Sequence, residues 1–163
     1  MRHMHKIDVY RKYILDEMSK DKKYNIKDLE QFVESLNYDQ VKQLCKYLSD
    51  CRRNSAYKFI SKGPDIWEAK KVNISDIYIG EINSSVNSFL KKNDWSLKNI
   101  SADIDICQHN EFKSQGHIDE KISNFIANKT NHGYRIIDGM HRIIRLCCDC
   151  KMKDDMKFKL IYY

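Results

Sequence analysis

Apolar residues recur at helical spacing through the first third of the chain. Ile7, Tyr10, Ile14 and Met18 make one stripe, Ile26, Leu29, Val33 and Leu36 a second, and Val41, Leu44, Cys45, Leu48 and Cys51 a third. Residues 7–60 therefore read as helices. Asn25 followed by Asp28, and Asn37 followed by Gln40, are starts of the capping-box kind, in which a side-chain oxygen satisfies an otherwise unpaired N–H of the first turn. Residues 55–60 add a short fourth helix. A plain bundle is the expected arrangement, since no residues of a DNA-reading recognition helix stand out.

The pattern changes after Ser61-Lys62-Gly63-Pro64-Asp65, where glycine and the sole proline are adjacent. The boundary is placed there, giving a helical element over 1–64 and a second domain over 65–163. In the second domain, residues 72–74 and 77–79 read as short strands and 86–90 as one helical turn. Residues 100–107, alternating Ile104 and Ile106 with Asp103 and Asp105, read as a half-buried strand. Residues 114–128 carry Ile118, Ile122, Phe125 and Ile126 on one helical face, which leaves only residues 127–133 before the next strand. At the end, Met156, Phe158, Leu160 and Tyr162 alternate with Lys157 and Lys159 as in an edge strand guarded by lysines. The fold class expected is α+β: a short N-terminal helical element, then a compact mixed α/β domain.

Residues 134–146, YRIIDGMHRIIRL, hold the most chemistry. A β-branched, aromatic strand meets Asp138-Gly139 and passes straight into an amphipathic helix that opens with His141-Arg142. Gly139 permits a sharp turn and a close backbone approach, and Asp138 is expected at the N-cap. The unpaired N–H groups of the first turn and the positive end of the helix dipole then face an anion, as do His141 and Arg142. Arg145, one turn on, is a weaker candidate.

Asp138-Gly139-Met140-His141-Arg142 resembles the Asp-Gly-x-His-Arg signature of the ParB/sulfiredoxin-like superfamily, which includes ParB CTPases, sulfiredoxin, free-serine kinases and DGQHR-type proteins. The likeness covers roughly residues 72–163. It implies a nucleoside triphosphate, ATP or CTP, held with Mg²⁺ at residues 138–142, and either hydrolysis or phosphoryl transfer. It also implies a carboxylate role for Glu81, as general base or Mg²⁺ ligand, with His141 as the second catalytic candidate. Lys113, Ser114 and His117 stand where relatives place further phosphate ligands. Two departures limit the transfer. Met140 occupies the position of the sulfiredoxin catalytic cysteine, so sulfinic-acid reduction is not expected. ParB proper reads Gly-Glu-Arg-Arg at this turn and continues into a helix-turn-helix domain, so partitioning in the ParB manner is not expected either.

Composition adjusts this picture only slightly. At 42% hydrophobic and 11% aromatic, the 163-residue chain is a folding sequence of one or two small units. Its apolar runs are too short for a membrane span and no secretory leader is visible, so a cytoplasmic location is expected, and with it reduced thiols for the six cysteines. Cys147, Cys148 and Cys150, with Cys107 and His109, have the wrong spacing for a zinc site, because adjacent helical cysteines diverge by about 100°. No metal site is expected from the cysteines. The net charge of +6 keeps two rival functions open: a module in which the same cradle grips a phosphate of DNA or RNA, and a phage or mobile-element interaction protein with a vestigial pocket and a protein partner on the N-terminal helices.

Overall fold

Asparagine side chains begin two of the N-terminal helices in the computed structural model, which describes residues 1–82, 85–112, 124–149 and 156–163. Asn25 accepts from the backbone N–H groups of Lys27 and Asp28 at the head of α2 (Ile26–Ser35). Asn37 and Gln40 form a full reciprocal capping box, both bonds at 3.0 Å, at the head of α3 (Tyr38–Arg52). α1 (Lys6–Met18) packs against both and against α4 (Ala56–Lys62). Val9, Tyr10, Tyr13 and Ile14 of α1 are fully buried.

These helices belong to a first unit, residues 1–69 with Tyr163. It also holds a strand the apolar pattern did not signal, β1 (Arg2–His5), paired antiparallel with the first half of β2 (Ile66–Asn73). Trp67, Phe59 and Tyr163 pack as a cluster, with the Phe59 and Tyr163 rings stacked at 4.9 Å and the Trp67 indole N–H donating to the Pro64 carbonyl.

The second unit spans residues 70–162. Its elements are β3 (Ile77–Ile79), α5 (Asn87–Lys92), α6 (Leu97–Ala102), α7 (Ile104–Gln108), β4 (Phe125–Thr130), β5 (Gly133–Asp138), α8 (Met140–Asp149) and β6 (Lys157–Tyr162). The strands run in the order β2-β6-β4-β5-β3. β4 and β5 are an antiparallel hairpin, while β3 lies parallel to β5 and β6 parallel to β4. Ile143, Ile144, Leu146 and Cys147 of α8 pack into one core with Phe125, Ala127, Tyr134, Ile136, Phe158 and Leu160 from the sheet. The chain is an α+β protein, with eight α-helices and six strands among the described residues.

Three sequence expectations are corrected. Residues 100–107 form the end of α6 and then α7, and Asp103 caps α7 by accepting from the Asp105 N–H at 3.0 Å. The apparent alternation arose because Ile104 is 68% exposed while Ile100 and Ile106 are buried, one on each helix. Of the helix expected over 114–128, residues 113–123 lie outside the described residues, and from Phe125 the chain is strand β4. Phe125, Ile126 and Ala127 are all buried, so the run lacks the alternation that marks a one-sided strand. β6 is an interior strand between β2 and β4, with Leu160, Ile161 and Tyr162 all buried. Among the described residues, no helix is long and apolar enough to cross a membrane.

Candidate functional site

The hairpin delivers the motif to one end of the sheet. Thr130 pairs with Gly133 across a two-residue turn at 131–132, and the Thr130 hydroxyl accepts from the His132 N–H and donates to the Gly133 carbonyl. β5 then runs to Asp138, opposite Ile126, past a register shift between Ile126 and Ala127. Asp138 is the last strand residue and not the N-cap. That place is held by Gly139, whose carbonyl accepts the first helical bond from the Ile143 N–H at 2.9 Å.

Gly139 is needed on two grounds. Its φ is +92°, a conformation L side chains rarely adopt. A Cβ there would also stand 2.7 Å from the Phe125 ring and 2.8 Å from Arg142 Nη2. The glycine thus lets the Arg142 guanidinium close over the turn. Arg142 Nη2 donates to the Asn124 carbonyl at 3.1 Å, and the guanidinium carbon lies 5.0 Å from the centre of the Phe125 ring. These contacts fix the side chain at the mouth of the turn, where its planar fork suits phosphate oxygens. They also make Arg142 a brace between α8 and β4.

His141 and Arg145 face a partner the sequence reading did not single out. Glu111 sets its carboxylate 3.2 Å from His141 Nε2, and its backbone carbonyl accepts from Arg145 Nε and Nη2 at 3.3 and 3.0 Å. The Phe112 ring lies 5.6 Å from the imidazole. Glu111 was invisible because it follows a short helix read as a strand, and a lone glutamate carries no motif. Met140 opens α8 and packs against the hydrophobic core.

Glu81 lies just beyond β3, exposed. Ile79 is level with Ile136 in the parallel β3–β5 pair, so Glu81 and Asp138 each lie two residues past the same rung. Glu81 thereby reaches the sheet end at which α8 begins, the carboxyl end of two parallel strands. Lys113, Ser114 and His117 lie outside the described residues.

The cysteines depart from the all-reduced expectation: Cys107 on α7 and Cys148 on α8 form a disulfide, their Cα atoms 5.2 Å apart. The divergence of neighbouring helical residues explains the choice. Cys147 packs in the core outside the disulfide, and Cys148 turns toward α7. Cys45 and Cys51 likewise take no part in a disulfide. Among the described residues, no three His, Cys, Asp or Glu side chains converge as a metal site.

No protein-family model, curated protein or solved structure matches the chain.

Proposed function

We propose that the second unit binds a nucleoside triphosphate of the ATP or CTP kind at the Gly139 turn, in the manner of ParB/sulfiredoxin-like proteins. The observation that carries the reading is the junction itself: a strand ending beside a parallel neighbour, a positive-φ glycine at the N-cap, and an arginine fixed over the turn. The phosphates take the first-turn N–H groups of the ten-residue α8, whose dipole favours negative charge, and the Arg142 fork. His141, the second residue of α8, adds a donor when its imidazole is not engaged with Glu111.

The donor set fits a triphosphate better than it fits a resident metal. Glu81, at the sheet end where α8 begins, is the carboxylate that would help hold a Mg²⁺ carried by the phosphates. When bound, the ion neutralises charge on the transferred or hydrolysed phosphate. Glu81 alternatively accepts the proton of an attacking hydroxyl or water. Both roles belong to the enzyme form of the proposal, with hydrolysis and phosphoryl transfer as its two outcomes.

The test is a thermal-shift screen with ATP, CTP, GTP, ADP and duplex DNA, each with and without Mg²⁺, followed by calorimetry on the best ligand. A native-state ligand at about a hundred times its Kd stabilises by roughly 2.7 kcal/mol, well within reach of the method. Arg142→Lys keeps the charge and loses the fork, and should weaken triphosphate binding by about tenfold or more while circular dichroism stays unchanged. No shift with any triphosphate, or equal affinity in the folded Arg142→Lys variant, would overturn the assignment. A shift with duplex DNA alone would transfer the site to the nucleic-acid reading.

A further inference from the structure

His141, Arg145 and Cys148 recur on α8 at spacings of four and three, and so share one face of the helix. The chain between Ile104 and Phe112 engages all three: Cys107 by the disulfide, Glu111 by its carboxylate on His141, and the Glu111 carbonyl by its two bonds from Arg145. Resting on the nucleotide reading of residues 138–142, we propose that this segment is an autoinhibitory latch, closed by the Cys107–Cys148 disulfide and opened by its reduction. Closed, the latch occupies the His141 donor and sets a carboxylate 3.2 Å from it, where a phosphate would otherwise bind. Like charges repel, so Glu111 and an anionic ligand compete for one place. Open, the segment keeps no covalent tie to α8 and the imidazole and guanidinium are released to the ligand.

The chemistry is thiol–disulfide exchange with a dithiol as reductant. A reagent thiolate attacks one sulfur of the pair, the S–S bond breaks, and the leaving thiolate takes up a proton. The second reagent thiol then resolves the mixed disulfide. Two electrons and two protons pass to the protein, which ends with two thiols, and the reagent ends as a cyclic disulfide. A disulfide oxidant runs the exchange in reverse. Cys107 and Cys148 are both partly exposed, whereas the neighbouring Cys147 thiol is buried, so the reagent is directed to the pair.

The full chain is compared in oxidised glutathione and in dithiothreitol. Alkylation and peptide mapping should leave Cys107 and Cys148 unmodified in the oxidised protein and modified in the reduced one. Backbone amides of residues 104–112 should exchange about tenfold faster after reduction, with those of α6 unchanged. ATP affinity should rise roughly tenfold on reduction, an ordinary size for such coupling. Glu111→Gln should give the same gain with the disulfide intact. Alkylation of both cysteines in the oxidised protein, or identical exchange over 104–112 in the two states, would overturn the latch. An affinity that does not change on reduction, in a protein that binds ATP, overturns it too. If ATP binds in neither state, the nucleotide reading fails, while alkylation and exchange still decide whether the segment is held by a redox bond.

Discussion

Gly139 is the residue on which the candidate site turns. With φ at +92° and no room for a Cβ between the Phe125 ring and the Arg142 guanidinium, alanine there meets both backbone strain and a clash. Positive-φ strain of this kind costs on the order of 1–3 kcal/mol. Gly139→Ala should therefore lower unfolding free energy by about 2 kcal/mol in a urea titration and weaken triphosphate binding as Arg142 is displaced. A loss under about 0.5 kcal/mol would show that the turn does not require glycine. Tyr10 carries a different kind of consequence. Burial, and then the neighbouring Tyr38, Tyr57 and Cys45, push its hydroxyl well above the ordinary tyrosine value of 10.0. A group with a raised folded-state value contributes stability that is complete below its unfolded value and lost as pH climbs past it. Stability should accordingly fall steeply above about pH 10. In Tyr10→Phe the fall should be shallower, as read by urea unfolding across the alkaline range, and an unchanged slope would remove Tyr10 as its source.

At the level of elements, what could be read in the sequence depended on where the burial lay. The caps at Asn25 and Asn37 are local chemistry, a side-chain oxygen answering N–H groups two or three residues on, and each cap of this kind contributes roughly 1 kcal/mol. They were legible for that reason, as was the strand–glycine–helix junction at 133–149. Faces packed by polar groups were not. The stripe expected through Leu48 and Cys51 omits Ser49, which is buried and bonded to Asn54, itself a donor to the Tyr13 hydroxyl at 2.8 Å. Glu17, equally buried, pairs with Lys20 and with Arg52 at 3.0 Å. β4 was missed because a strand buried on both faces shows no period of two. Reading 114–128 as a helix left only residues 127–133 before the motif strand, so the β4–β5 hairpin was missed along with β4. The position of β6 inside the sheet follows from parallel pairing with β4, a long-range fact that alternation alone cannot encode.

For the molecule as a whole, the strand order sets the sequence in which contacts become available. Among the described residues only the β4–β5 hairpin joins strands separated by a two-residue turn, whereas β3 must find β5 across more than fifty residues and β6 returns to β4 from beyond α8. Closing long loops costs entropy before any contact repays it, so local pairing is reached first. The hairpin is therefore the expected nucleus of the second unit. Thr130→Ala, at its turn, should slow refolding in proportion to the stability lost, while Ile161→Val, in β6, should chiefly speed unfolding. Stopped-flow refolding that is insensitive to Thr130→Ala at a measurable stability loss would place the nucleus elsewhere. Until β3 and β6 arrive, both edges of that hairpin present open N–H and C=O groups beside the apolar run at Phe125, Ile126 and Ala127. The strand pair that presents the motif is then also a stretch open to pairing with other chains during synthesis, before the native sheet covers its edges.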